Sequence, residues 1–132
     1  MSMSEQNGTN ALPQLYGGIP GKSFGPVDYE FQPLMRDGRV GVEMHSLYST
    51  RETGADGPAA AIVRYLPNGK AQPHRHPGYE IIWILEGEIE TDDGVYPAGS
   101  LLVMPPDSVH TPRSPKGAVG FVVWEQPVRP VD

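Results

Sequence analysis

The sequence predicts an all-β protein, a small barrel of short strands, and three observations carry that reading. Apolar residues alternate with polar ones or gather in short runs, and no stretch of a dozen residues holds a helical period. Turn formers are abundant, with 16 Gly and 15 Pro spread along the chain, as many short strands joined by tight turns require. A length of 132 residues has room for one domain around one core. About eight or more strands at turn-punctuated spacing are expected.

Taken in order, residues 1–26 are rich in Gly, Pro, Ser, Asn and Gln without a sustained period and read as a flexible arm. Within it, Gly17-Gly18-Ile19-Pro20-Gly21-Lys22-Ser23 resembles a phosphate-binding loop. The motif needs Gly four residues before Gly-Lys-Ser, and that position is Tyr16. With no apolar strand before it and no helix after it, it reads as a decoy. Residues 27–126 form the barrel. Val27, Tyr29 and Phe31 alternate with polar neighbours, as do Val40, Val42 and Met44. Ala59–Leu66 reads as a buried strand closed by Pro67-Asn68-Gly69, and Glu80–Leu85 as another. Asp93-Gly94 marks a two-residue hairpin between Glu88–Thr91 and Val95–Tyr96. Leu101–Met104 and Val119–Trp124 complete the set. The tail, 127–132, is too Pro-rich for a sheet interior.

Composition excludes several function classes. The net charge of −6, with no cluster of Lys and Arg, disfavours nucleic acid. The absence of cysteine rules out disulfides, thiolate metal sites and a Cys nucleophile. The strongly apolar run Ile81–Leu85 is far short of the ~20 residues a membrane helix needs. The first residues, MSMSEQNGTN, lack the features of a signal peptide, so a cytoplasmic protein is expected.

Three of the four histidines lie between 74 and 110. In an extended strand His74 and His76 point to one face, with Cα atoms about 6.5–7 Å apart, and Arg75 points to the other. Glu80 follows the Pro77-Gly78 break, and an antiparallel return after Pro105-Pro106 can bring His110 opposite the pair. Three imidazoles and a carboxylate suit Fe, Mn, Ni, Co or Zn, and leave up to two positions on an octahedral ion. A His-x-His on a strand is more often a surface or core feature than a ligand pair, and spacing alone leaves both readings open.

The segment Gly69-x4-His74-x-His76-x3-Glu80-x6-Gly87 resembles the first cupin motif, one residue short between its first Gly and His. Gly99-x5-Pro105-x-Asp107-x2-His110-x3-Ser114 resembles the second, with Asp107 where Gly is usual and Ser114 where Asn is usual. Within cupins, GPAAAIVRYLPNG, HRHPGYEIIWILEGEIETDDGVYPAGS and MPPDSVHTP are similar to the cupin domain of ChrR-type anti-sigma factors, whose single-domain relatives include acetylacetone-cleaving dioxygenases. The resemblance implies a cupin double-stranded β-helix, a conical barrel of jelly-roll type, and a homodimer. It also implies one divalent metal ion per chain, Fe(II) before Zn, Mn or Ni, held by His74, His76, Glu80 and His110. The N-terminal helical domain of ChrR, with its own His/Cys zinc site, has no counterpart here, so no anti-sigma role is expected.

Glu80 facing inward brings Ile82 and Ile84 inward by the period of two, giving the metal an apolar wall. A divalent ion with one carboxylate ligand keeps a net +1 and favours an anionic chelate bound through two oxygens. The leading expectation is an Fe(II) dioxygenase cleaving a small diketone or hydroxy-ketone, with Glu80 as ligand and Arg64 either as a second catalytic candidate reaching the substrate anion or as a solvent-facing, ion-paired residue. The alternatives are a non-catalytic metal or small-molecule sensor, or a redox-neutral Zn or Mn isomerase, lyase or cyclase. His45 shares a face with Glu43, out of phase with Val42, and reads as an ordinary position. Tyr79, Trp83 and Trp124 read as packing residues, the tryptophans in the core or a dimer interface.

Overall fold

The computed structural model describes residues 29–34 and 38–131. The arm of residues 1–26, with its loop-like glycine segment, lies outside them, as do Val27 and Asp132. The strands are β1 (Gln32–Pro33), β2 (Val40–Tyr48), β3 (Ala59–Lys70), β4 (His74–Arg75), β5 (Glu80–Thr91), β6 (Gly94–Pro97), β7 (Leu101–Met104), β8 (Val109–His110), β9 (Arg113–Ser114), β10 (Ala118–Trp124) and β11 (Arg129–Pro130), with a single helical turn α1 (Thr50–Thr53) between β2 and β3. Ser49 caps α1 in a reciprocal box with Glu52.

All pairings are antiparallel. The main sheet runs β9-β5-β10-β3-β2-β1, with β6 and β7 added along β5. Because β9 pairs with β3 as well as β5, the path returns on itself and closes a barrel. A second, small sheet, β11-β4-β8, carries two of the histidines. The tail pairs only at its edge, where the missing N–H of Pro130 is tolerated.

Strand extents differ from the sequence reading in four places. Tyr29 and Phe31 form no strand; both lie on the outside of the sheet with Ile62, Val119 and Phe121. Strand β3 runs on through Pro67-Asn68-Gly69, Asn68 taking φ 69°, a value Asn adopts more readily than most residues. Strand β5 continues past Leu85 because Gly87 takes φ 75° and lies so close to β10 that a Cβ there would stand 2.1 Å from the Gly117 carbonyl oxygen. Next to it the register of β10 slips between Val119 and Gly120. The hairpin loop is Asp92-Asp93, one residue earlier than expected, since Gly94 already pairs with Thr91.

Alternation along the strands gives two apolar layers. The inner cluster contains Val42, Ala61, Val63, Ile82, Ile84, Ile89, Ala118 and Val122. The outer one contains Tyr29, Ile62 and Val119, flanked by Phe31, Leu47 and Phe121. Ile82 and Ile84 therefore face inward as the period of two requires, and Ile84 is fully buried. The phase on β2 holds from Val42 onward; Val40 is exposed because the register shifts at Gly41.

Candidate metal centre

His74 and His110 are directly paired across β4 and β8, so backbone hydrogen bonds of the small sheet set their separation. His76 follows β4 and is tied to the second motif. Its N–H donates to the Ser108 carbonyl at 3.0 Å, and its carbonyl accepts the Asp107 N–H at 2.7 Å. Asp107 sits at φ 71° in that turn. This explains the glycine usual in the motif, and Asp is among the few other residues that visit this region. Glu80 opens β5, with Ile82 and Ile84 on its face. Behind the site, Ser114, the other departure from the motif, is fully buried and donates its hydroxyl to the Glu88 carbonyl at 2.6 Å.

All four expected ligands are buried, and a nitrogen or oxygen from each lies within 4.8 Å of the others. His74 Nε2 and His110 Nε2 are 2.7 Å apart, His110 Nε2 and Glu80 Oε1 are 3.8 Å apart, and His76 Nε2 touches Glu80 Oε1. Bonds of about 2.0–2.2 Å to one ion place neighbouring ligand atoms about 3 Å apart, the same scale.

The far ring nitrogens define the tautomers. His74 Nδ1 lies 3.0 Å from the Gln72 carbonyl, which only accepts, so it carries the proton. Ser108 donates its hydroxyl to the Pro105 carbonyl at 2.7 Å and so accepts from His76 Nδ1 at 2.9 Å. Both Nε2 atoms therefore present lone pairs inward, towards a carboxylate that also only accepts. The four residues could hold one metal ion, and a divalent ion would satisfy all four atoms at once. Burial, reinforced by His74, His76 and Arg39, lowers the His110 pKa to about 2, which keeps this imidazole neutral.

The other candidates divide differently. Arg64 does not reach the cluster: it faces out of the barrel, donates through Nε and Nη2 to Glu43 Oε1 at 2.9 and 2.7 Å, and lies over the Phe31 ring. His45 also faces outward, edge-on to Tyr29, with Nδ1 accepting the Glu30 N–H. Tyr79 is exposed rather than packed, and Trp83 is 50% exposed on the outer wall.

Sequence reasoning missed Arg39, Tyr65 and Trp124 as cavity residues. All three line a cavity of about 40 Å³ that also touches His74, Glu80, His110 and Ile82. Burial, the main cause, and the Glu80 charge raise the Tyr65 pKa against the opposing effect of Arg39, so its phenol stays protonated. Tyr65 lies two residues from inward-facing Val63, on a strand whose buried run of Ala60 to Val63 shows no alternation. Arg39, outside any strand, has no periodic signal.

Comparison with known proteins agrees with this architecture. The profile of the ChrR cupin-like domain matches residues 25–129. The polyketide cyclase RemF from Streptomyces resistomycificus is 24% identical, with a TM-score of 0.66 over 82% of this chain and 83% of that one. An acetylacetone dioxygenase from Acinetobacter johnsonii is 16% identical, with a TM-score of 0.71 over 100% and 85%. The Rhodobacter sphaeroides complex of SigE with the anti-sigma ChrR matches at 17% identity and a TM-score of 0.59, over 74% of this chain and 49% of that one. No curated protein matches. With a closed barrel, both cupin motifs in place and a family match across most of its length, the chain belongs to the ChrR cupin-like domain family.

Proposed function

We propose that this protein binds one divalent metal ion through His74, His76, Glu80 and His110 and, as its Fe(II) form, cleaves a small diketone or hydroxy-ketone with dioxygen. The observation that carries the metal is the convergence of acceptor atoms whose opposite ring nitrogens are already engaged at His74 and His76. The ion, when bound, would supply charge for an enolate and open positions for its oxygens and O₂. The chain's own residues do the rest. Glu80 offsets part of the ionic charge, and Ile82, Val63 and Val122 give the cavity an apolar wall that excludes water. Tyr65 offers a neutral phenolic donor at the same wall. The acetylacetone dioxygenase of the same fold supports the reaction class, and RemF supports a redox-neutral alternative.

The test compares protein reconstituted with Fe(II) and with Zn(II). Diketone-dependent oxygen uptake by the iron form, absent from the zinc form, is the expected result. Chelate binding without uptake by either form overturns the dioxygenase reading and leaves a redox-neutral enzyme or binding module. We also propose a homodimer. On the outer wall Trp83 pairs with Leu101 and Ile81 with Val103, and all four are at least 39% exposed. Trp83→Lys is expected to yield monomers in light scattering, and an unchanged mass overturns that interface.

A further inference from the structure

The four candidate ligands are not held alike. Strand pairing sets His74 and His110, and the start of β5 sets Glu80. His76 lies beyond β4, and the turn of residues 105–108 fixes it instead. Backbone bonds of 3.0 and 2.7 Å to Ser108 and Asp107 place the residue. The Ser108 hydroxyl, 2.9 Å from Nδ1, then reaches its ring. Ser108 stands at an unspecified position of the second motif and is half-buried.

A neutral imidazole carries one N–H, and at His76 two acceptors compete for it. The Ser108 oxygen faces Nδ1, and the Glu80 carboxylate touches Nε2. On Nε2 the proton would tie the ring to Glu80, and each ligand would satisfy the other. On Nδ1 it leaves a lone pair at Nε2 and an open oxygen at Glu80, and neither atom has a hydrogen-bond partner among the described residues. His74 faces no such choice. Its Nδ1 is backed by the Gln72 carbonyl, and its Nε2 meets another imidazole, His110, at 2.7 Å.

How well Ser108 accepts therefore decides the balance at His76. Its one hydrogen is committed to the Pro105 carbonyl at 2.7 Å, so the oxygen turns its lone pairs to the ring. A hydroxyl that donates onward is also the stronger acceptor, because the chain from His76 to Pro105 polarises cooperatively. We propose that Ser108 is a positioning residue for metal capture: it holds the His76 proton on Nδ1 and so keeps His76 and Glu80 from closing on each other. The inference rests on the metal reading above and names the residue that keeps that site open.

The experiment measures the Zn(II) affinity of the full chain by competition with a chromophoric chelator. Ser108→Ala removes the acceptor and leaves the backbone bonds between His76 and the turn in place. It is expected to weaken Zn(II) binding about tenfold or more, the scale of losing a partner behind a ligating imidazole. Ser108→Thr, which keeps the hydroxyl, is expected to bind as the wild type does. Making Ser108→Ala in a Glu80→Ala background separates competition from general support. Three imidazoles still suit zinc there, and with no carboxylate to compete the further loss is expected to fall well below tenfold. Circular dichroism checks that each variant folds. If Ser108→Ala does not, Ser108→Cys, whose thiol is a weak acceptor, takes its place; if Glu80→Ala does not, the Ala and Thr variants at 108 decide. Undiminished affinity in Ser108→Ala, an equal loss in Ser108→Thr, or the full loss repeated without Glu80 overturns the role of Ser108 and leaves the metal reading intact. Absence of stoichiometric Zn(II) binding in the wild type overturns the metal reading and this inference with it.

Discussion

Along β3, Ala61 and Val63 belong to the inner cluster, and Ile62 to the outer cluster beneath Tyr29 and Phe31. The two layers use the same strands and similar residues, yet their histidines fare differently. His45, on the outside, meets a backbone N–H and the edge of a tyrosine ring. His74, His76 and His110, on the inside, meet one another and a carboxylate. The arginines divide by place in the same way, Arg64 paired with Glu43 at the surface and Arg39 buried in the lining of two cavities. Burial alone does not make a site. What distinguishes the inner face is that three imidazoles and a carboxylate converge there, where burial makes an unmet acceptor costly.

The largest test of that contrast is metal binding. Replacing His74 and His76 together by Ala is expected to abolish stoichiometric binding at neutral pH, whereas His45→Ala retains it. Equilibrium dialysis with Zn(II) and Co(II) distinguishes the two, and full stoichiometry in the double variant breaks the comparison. Packing comes next. Ile84 is wholly enclosed in the inner layer, so Ile84→Ala is expected to lower stability by about 2–5 kcal/mol in urea unfolding. Arg64→Ala, removing a partly exposed ion pair, is expected to cost about 1 kcal/mol or less.

Acid sharpens the contrast further. Because the His110 pKa is lowered to about 2 in the folded chain and lies near 6.5 when unfolded, the unfolded state takes up the proton first. Stability without metal is therefore full above pH ~6.5 and falls as pH drops below it, by up to about 1.4 kcal/mol per pH unit from this residue. His110→Asn is expected to flatten that slope, measured by urea unfolding in chelator between pH 7.5 and 5. A slope unchanged by the substitution counts against a neutral buried imidazole. The smallest effect is expected at the turn within the second motif. Asp107→Gly relieves a left-handed residue and is expected to leave stability the same or raise it by about 1 kcal/mol; a clear loss in thermal unfolding shows that the Asp side chain matters.

Much of this was legible because the decisive signals are local. Two histidines on alternate residues must share a strand face, and a carboxylate opening the next strand sets the phase of Ile82 and Ile84. Phase was illegible on β3, where Ala60, Ala61, Ile62 and Val63 are all buried. A strand covered on both sides shows no alternation, so nothing in the sequence told Arg64 from an inward residue. Strand β5 hid its continuity for the opposite reason. Gly87 resembles a terminator, and only the close passage of Gly117 shows it to be the bend that keeps the strand whole. Arg39 reaches the cavities from a loop, where no period exists to predict a direction.

The hydrogen bonds from His74 and His76 to Gln72 and Ser108 have one more consequence. Rings held in this way would need no turning over on metal binding, so the proposed site would admit several first-row ions with little rearrangement. Their rank then follows the general order of divalent affinities more than any choice made by the protein. What a purified sample carries is accordingly a record of the growth medium and the loading history, and the working ion is identified by reconstitution rather than by inventory.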